Sequence, residues 1–192
     1  DTSKLHTYRY NEDLFKKMTV LPDGKNHGLL FLLDWSGSMA NEILATVKQV
    51  INLSAFCKKV QIPFEVYAFT NDWIMAERAM QNTAGNDDFY IPDSYDYTGI
   101  EKNTVYIHNN YFHLVNVVSS RSNGKDFERM CKNLFREAHY YRNYSGYRQT
   151  PGLSLSGTPL NEAVIMMNYI IPEFKQQNDL QKVNLCILSD GE

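Results

Sequence analysis

Apolar residues recur along this chain in two patterns. Leu29-Leu30-Phe31-Leu32-Leu33 is continuous rather than alternating, as a parallel strand buried on both faces requires. It predicts a first strand over about 27–34. Ile43, Leu44, Val47, Val50 and Ile51 then return at helical spacing and predict a helix over about 39–60. Pro63 to Thr70 reads as a second strand beside the first, and Tyr111 to Val118 as a third at the sheet edge. A helix after Gly124-Lys125-Asp126 carries Phe127, Met130, Cys131, Leu134, Phe135 and Ala138 on one face. Another, from Pro159, carries Leu160, Val164, Met167, Ile170 and Ile171, with Pro172 expected to kink or end it. Lys182 to Leu188 is the fourth strand. Strands alternating with helices make the fold class α/β.

In such folds ligands bind at the carboxyl edge of the sheet, and polar residues cluster there. The first strand runs into Asp34-Trp35-Ser36-Gly37-Ser38-Met39. Asp-x-Ser-x-Ser sets hard oxygens on alternate residues, so that all three can converge in an extended turn, and Gly37 lets the backbone curve tightly. Such ligands suit Mg²⁺ or Mn²⁺. The plainer alternative has Ser38 capping the helix and Asp34 filling a turn. Ser156-Gly157-Thr158-Pro159-Leu160 places a hydroxyl at a helix cap and proline at the first helical position. Ser189-Asp190-Gly191-Glu192 follows the fourth strand. Asn71 and Asp72, after the second, read as a turn or as peripheral ligands.

Asp34, Ser36, Ser38, Thr158 and Asp190, in this order and context, resemble the metal-ion-dependent adhesion site of von Willebrand factor A (VWA) domains. The lead-in from Asp1 to Gly28, then Phe69-Thr70, Phe127 to Glu137 and Ile187 to Gly191 are similar to the cobaltochelatase CobT-type VWA domain, as in phage-encoded CobT-like proteins. The resemblance implies a Rossmann-like sheet of strand order 3-2-1-4 with the third strand antiparallel. It also implies two further strands and helices beyond Glu192, so the chain looks cut within its domain. It puts Ser36 and Ser38 directly on the metal, Thr158 direct or through water, and Asp34 and Asp190 mainly through water. One position is then left for an acidic residue of a protein partner.

The function expected from this is a Mg²⁺-dependent interaction module working with an AAA+ ATPase of CobS/MoxR type. The first alternative is a subunit of a cobaltochelatase in cobalamin biosynthesis. The second is a metal-dependent hydrolase or peptidase. No glycine-framed nucleophilic serine, His-Glu-x-x-His or phosphate loop supports catalysis by this chain alone. His108 and His113 read as surface or packing residues.

Charge and composition narrow the partners. A net charge of -3 argues against nucleic-acid binding by general electrostatics. No apolar run approaches the roughly 20 residues that span a bilayer, and no signal peptide is recognised. A cytoplasmic protein is expected (host cytoplasm if phage-encoded). Cys57, Cys131 and Cys186 are spaced too widely for zinc and read as small buried hydrophobes. Residues 1–26 are polar and read as an N-terminal arm with a short helix near 12–18, ahead of a domain over 27–192. Within it, 71–110 is an acidic, tyrosine-rich insertion, a contact surface or a solvated elaboration. His139 to Arg148 is aromatic and basic and is read as a loop contacting a protein partner.

Overall fold

The computed structural model describes residues 27–72, 112–143, 150 and 152–190. The N-terminal arm and nearly all of the 71–110 insertion lie outside the described residues. Four strands form one mixed sheet: β1 (His27–Asp34), β2 (Phe64–Asn71), β3 (Phe112–Ser119) and β4 (Lys182–Leu188), in the order β3-β2-β1-β4. β1 pairs in parallel with both β2 and β4, and β3 is antiparallel to β2. The α/β class, the strand order and the direction of β3 thus match the expectation.

The helices are α1 (Ile43–Lys59), α2 (Gly124–Asn143) and α3 (Leu160–Gln177). A 3-10 turn, Ser38–Asn41, precedes α1. The unbroken apolar run of β1 is explained by the layers. Phe31 and Leu33 pack into one core with Val47 and Val50 of α1 and Leu134 of α2. Leu30 and Leu32 pack into a second core with Ala163 and Met167 of α3. Successive strand residues point to opposite faces, so β1 supplies both cores. At its start, a Cβ on Gly28 would stand 2.5 Å from Leu180 Cδ1 and 2.7 Å from Phe174 Cε1. Only glycine lets this end of α3 close on the strand.

Several local expectations change, among them the start of α1, which is Ile43 and not about 39. α3 begins at Leu160, with Pro159 as its N-cap, one residue later than expected. It also runs five residues past Pro172. That proline is on the exposed side of the helix, where water can hydrate the carbonyl freed at Asn168. α2 continues to Asn143, so the first part of the aromatic and basic stretch is helical; the rest lies outside the described residues. Cys57 and Cys131 are buried as expected, whereas Cys186, on a strand paired only with β1 among the described residues, is half-buried.

Both α1 and α3 end in a left-handed residue that is not glycine, Gln61 (φ 61°) and Asp179 (φ 51°). The amide of the following residue reaches back five positions, Ile62 to Cys57 O and Leu180 to Lys175 O, each within 3.0 Å. A side chain in this conformation costs about 1–2 kcal/mol, part of which glycine returns through unfolded-state entropy. Gln61→Gly and Asp179→Gly are therefore each expected to stabilise the protein by about 0.5–1 kcal/mol in urea titration.

Candidate metal centre

At the carboxyl end of β1 the chain turns with Asp34, Trp35 and Ser36 all buried, at 0%, 0% and 1% exposure. Trp35 donates its backbone N–H to Phe69 O (3.0 Å) and its indole N–H to Leu153 O (2.7 Å). Its side chain fills the core beneath the turn and meets Tyr141 edge-to-face at 5.8 Å. The tryptophan thus holds the turn from below, with Asp34 and Ser36 on either side of it in sequence.

The hydroxyls of Ser36 and Ser38 lie 3.0 Å apart. Ser38 makes no helix cap: Gly37 precedes the 3-10 turn, Glu42 precedes α1, and neither helix start carries a side-chain cap bond. The capping alternative for Ser38 is therefore not what the structure holds. Thr158 is likewise no cap, since Pro159 occupies that position without a side-chain bond. These hydroxyls lack the role that most often explains a serine or threonine before a helix.

The segment before Thr158 lies directly against the Asp34 turn. Ser36 and Ser156 form a parallel bridge, and Gly37 N–H donates to Ser156 O at 2.7 Å. On the other side, Gly157 bridges Asn71 at the end of β2. From the third direction, Ser189 donates its hydroxyl to Asp34 Oδ2 at 2.7 Å, which brings the end of β4, and with it the exposed Asp190, to the same rim. The three segments carrying Asp34/Ser36/Ser38, Thr158 and Asp190 therefore meet at one edge of the sheet.

One atom there stands out. Asp34 Oδ1 is buried and has no hydrogen-bond partner among the described residues. Leaving a buried acceptor unmatched costs about 1–3 kcal/mol, and more for a charged one, so a cation, or a donor from elsewhere, is the natural complement. Among the described residues no group of three or more His, Cys, Asp and Glu side chains is placed to hold a metal. A cation at this rim would draw most of its protein ligands from hydroxyls. Such a donor set, hard and carrying few charges, fits Mg²⁺ or Mn²⁺ better than zinc.

No family model, no curated protein and no solved structure matches this chain.

Four residues outside the five-residue ligand motif complete its frame, of which only Asp72 was read from the sequence, as a turn residue or peripheral ligand. Thr70 donates its hydroxyl to Ser154 O (2.8 Å), and the buried Asp72 accepts from Gly152 N–H (2.6 Å). Tyr141 donates its hydroxyl to Leu153 O. Burial is the main cause that pushes this phenol well above the usual tyrosine range, which keeps it a donor. Ser189 is the fourth. Only Asp72 carried a signal in sequence, as an acid just past a strand at the carboxyl edge.

No helix among the described residues is long and apolar enough to cross a membrane.

Proposed function

We propose that this chain is a VWA-type adaptor that recognises a protein partner through a divalent cation. The observation that carries the reading is the buried, unmatched Asp34 Oδ1 at a rim where two serine hydroxyls stand 3.0 Å apart. Asp34, Ser36 and Ser38 would hold the ion, with Thr158 and Asp190 completing the protein's share. When bound, Mg²⁺ would supply a positive centre to which an Asp or Glu carboxylate from outside can add. The chain's own residues do the rest. Trp35 fixes the turn, Ser189 orients the Asp34 carboxyl, and the amino end of α3, which follows Thr158, adds positive potential near the rim.

The kind of partner, an AAA+ ATPase of CobS/MoxR type, rests on the resemblance of Asp1 to Gly28, Phe69-Thr70, Phe127 to Glu137 and Ile187 to Gly191 to CobT-type domains. The mixed sheet with an antiparallel edge strand supports the VWA reading.

Thermal unfolding in Mg²⁺, Mn²⁺ or chelator tests the site. At a hundredfold excess over Kd, a ligand bound only by the folded state adds about 2.7 kcal/mol. For a chain of 192 residues that is a rise of roughly 5–10 °C in Tm. Asp34→Ala is expected to abolish the rise. An equal rise in that variant would remove the ion from this site. Capture of the ATPase that needs Mg²⁺ and is lost in Ser38→Ala is expected in addition, and capture indifferent to both would sink the adaptor reading.

A further inference from the structure

We infer that Asp72 is a positioning residue for the cation site: it holds the strap that carries Thr158 without being a ligand itself. This rests on the reading of the rim as a cation site and extends it to a residue that the ligand motif does not contain.

Residues 152–157 have neither helix nor ladder to hold them, yet Gly152, Leu153 and Ser154 are buried. A buried backbone must place its polar groups somewhere, and here side chains take them in succession. Asp72 Oδ2 accepts from Gly152 N–H at 2.6 Å. Leu153 O receives the Trp35 indole and the Tyr141 hydroxyl, and Ser154 O receives the Thr70 hydroxyl at 2.8 Å. Only after this does the strap reach the Asp34 turn, through Gly37 N–H to Ser156 O.

Asp72 holds the far end of this run. It is 1% exposed, at the end of β2. Gly152 has φ +86°, a conformation that other residues rarely adopt. A carboxylate accepting the amide of that residue fixes where the strap leaves its left-handed turn, and so where Ser156, Gly157 and Thr158 arrive. Charge-assisted bonds of this kind are shorter and stronger than neutral ones, which suits the anchor at the far end of a segment without a ladder. Misplacing one ligand of a small octahedral cation by an ångström is enough to weaken it severely, because Mg²⁺ tolerates little distortion.

Binding of Mn²⁺ followed by the electron paramagnetic resonance of the free ion tests this, alongside Tm in chelator and far-UV circular dichroism. Wild type is expected to bind one ion and Asp34→Ala none. Asp72→Ala should bind at least tenfold more weakly with its circular dichroism intact. Asp72→Asn, whose amide oxygen can still accept from Gly152, should stay within about threefold of wild type. Thr70→Val, which removes the next bond along the strap, should weaken binding three- to tenfold and serves as the test if Asp72→Ala fails to fold. Wild-type affinity in Asp72→Ala, or in a folded Thr70→Val when Asp72→Ala is unfolded, overturns the inference while leaving the ion site in place. Equal loss in Asp72→Asn and Asp72→Ala overturns it too, because the charge would then be acting as a ligand. Absence of Mn²⁺ binding by wild type itself refutes the cation site, and the role of Asp72 with it.

Discussion

Trp35→Ala is expected to lower stability by about 3–5 kcal/mol, the largest single effect in the molecule. The indole is fully buried, at 0% exposure, in the core shared by β1, α1 and α2. Truncation removes its apolar contacts and leaves a void that a three-layer sandwich cannot close. It also strips Leu153 O of a 2.7 Å bond, although the Tyr141 hydroxyl still reaches that carbonyl. Trp35→Phe keeps most of the volume and loses the bond, and is expected to cost about 1–2 kcal/mol. Urea unfolding of the pair separates the two contributions. The alanine variant should also lose its thermal response to Mg²⁺, because the residue lies between two of the proposed ligands. A loss below about 1.5 kcal/mol would mean that the turn is held from elsewhere.

Glu65→Ala comes next, at about 2–4 kcal/mol. Glu65 is 1% exposed near the start of β2, at the opposite end of the sheet from the rim. Its carboxylate receives Asn116 Nδ2 at 2.8 Å, Ser119 Oγ at 2.9 Å and Arg121 Nε at 3.0 Å. Arg121 is 59% exposed, so water screens the ion pair and its own share is below about 1 kcal/mol. Most of the cost is that of removing a buried side chain and leaving the buried Ser119 hydroxyl without its acceptor; the amide of Asn116, an exposed residue, can turn to water. Arg121→Ala is therefore expected to lower Tm by only a few degrees, against roughly 5–15 °C for Glu65→Ala. Because Glu65 is remote from the rim, the Mg²⁺ response should persist in both. Equal losses in the two variants would assign the stability to the ion pair instead.

Much of the architecture is legible in the sequence because local pattern and burial coincide. Leu29 to Leu33 is continuous because β1 is covered on both faces. β2 is buried almost as fully from Phe64 to Phe69, with Glu65 interrupting its apolar run, whereas β3 pairs only with β2 among the described residues and is buried only at its end. Asp34, Ser36 and Ser38 were legible because their spacing is local. The roles of Thr70 and Tyr141, and the bond that Asp72 makes, were not, because each acts on a backbone group 84, 12 or 80 residues away. Side-chain bonds to distant main chain leave no periodicity. Ser189 was hidden by its neighbour Asp190, the more obvious ligand. The aromatic and basic character of His139 to Asn143 suggested a loop, but Tyr141 has its ring against Trp35, so tertiary contact prolongs the helix there. Pro172 misled for the opposite reason. A missing N–H matters least where water can replace it.

β1 is greasy above and below, so sliding it along its neighbours would still leave oil against oil. Alternation of polar and apolar residues, which guards most strands against slippage, gives it no protection. What resists a shift is at its two extremities. Gly28 is the one residue small enough for the notch beside Leu180 and Phe174, and a displacement by two would drive Leu30 into that notch. The same displacement would carry Asp34 away from Ser189. A missing side chain at one end of the strand thus fixes where a carboxylate stands at the other.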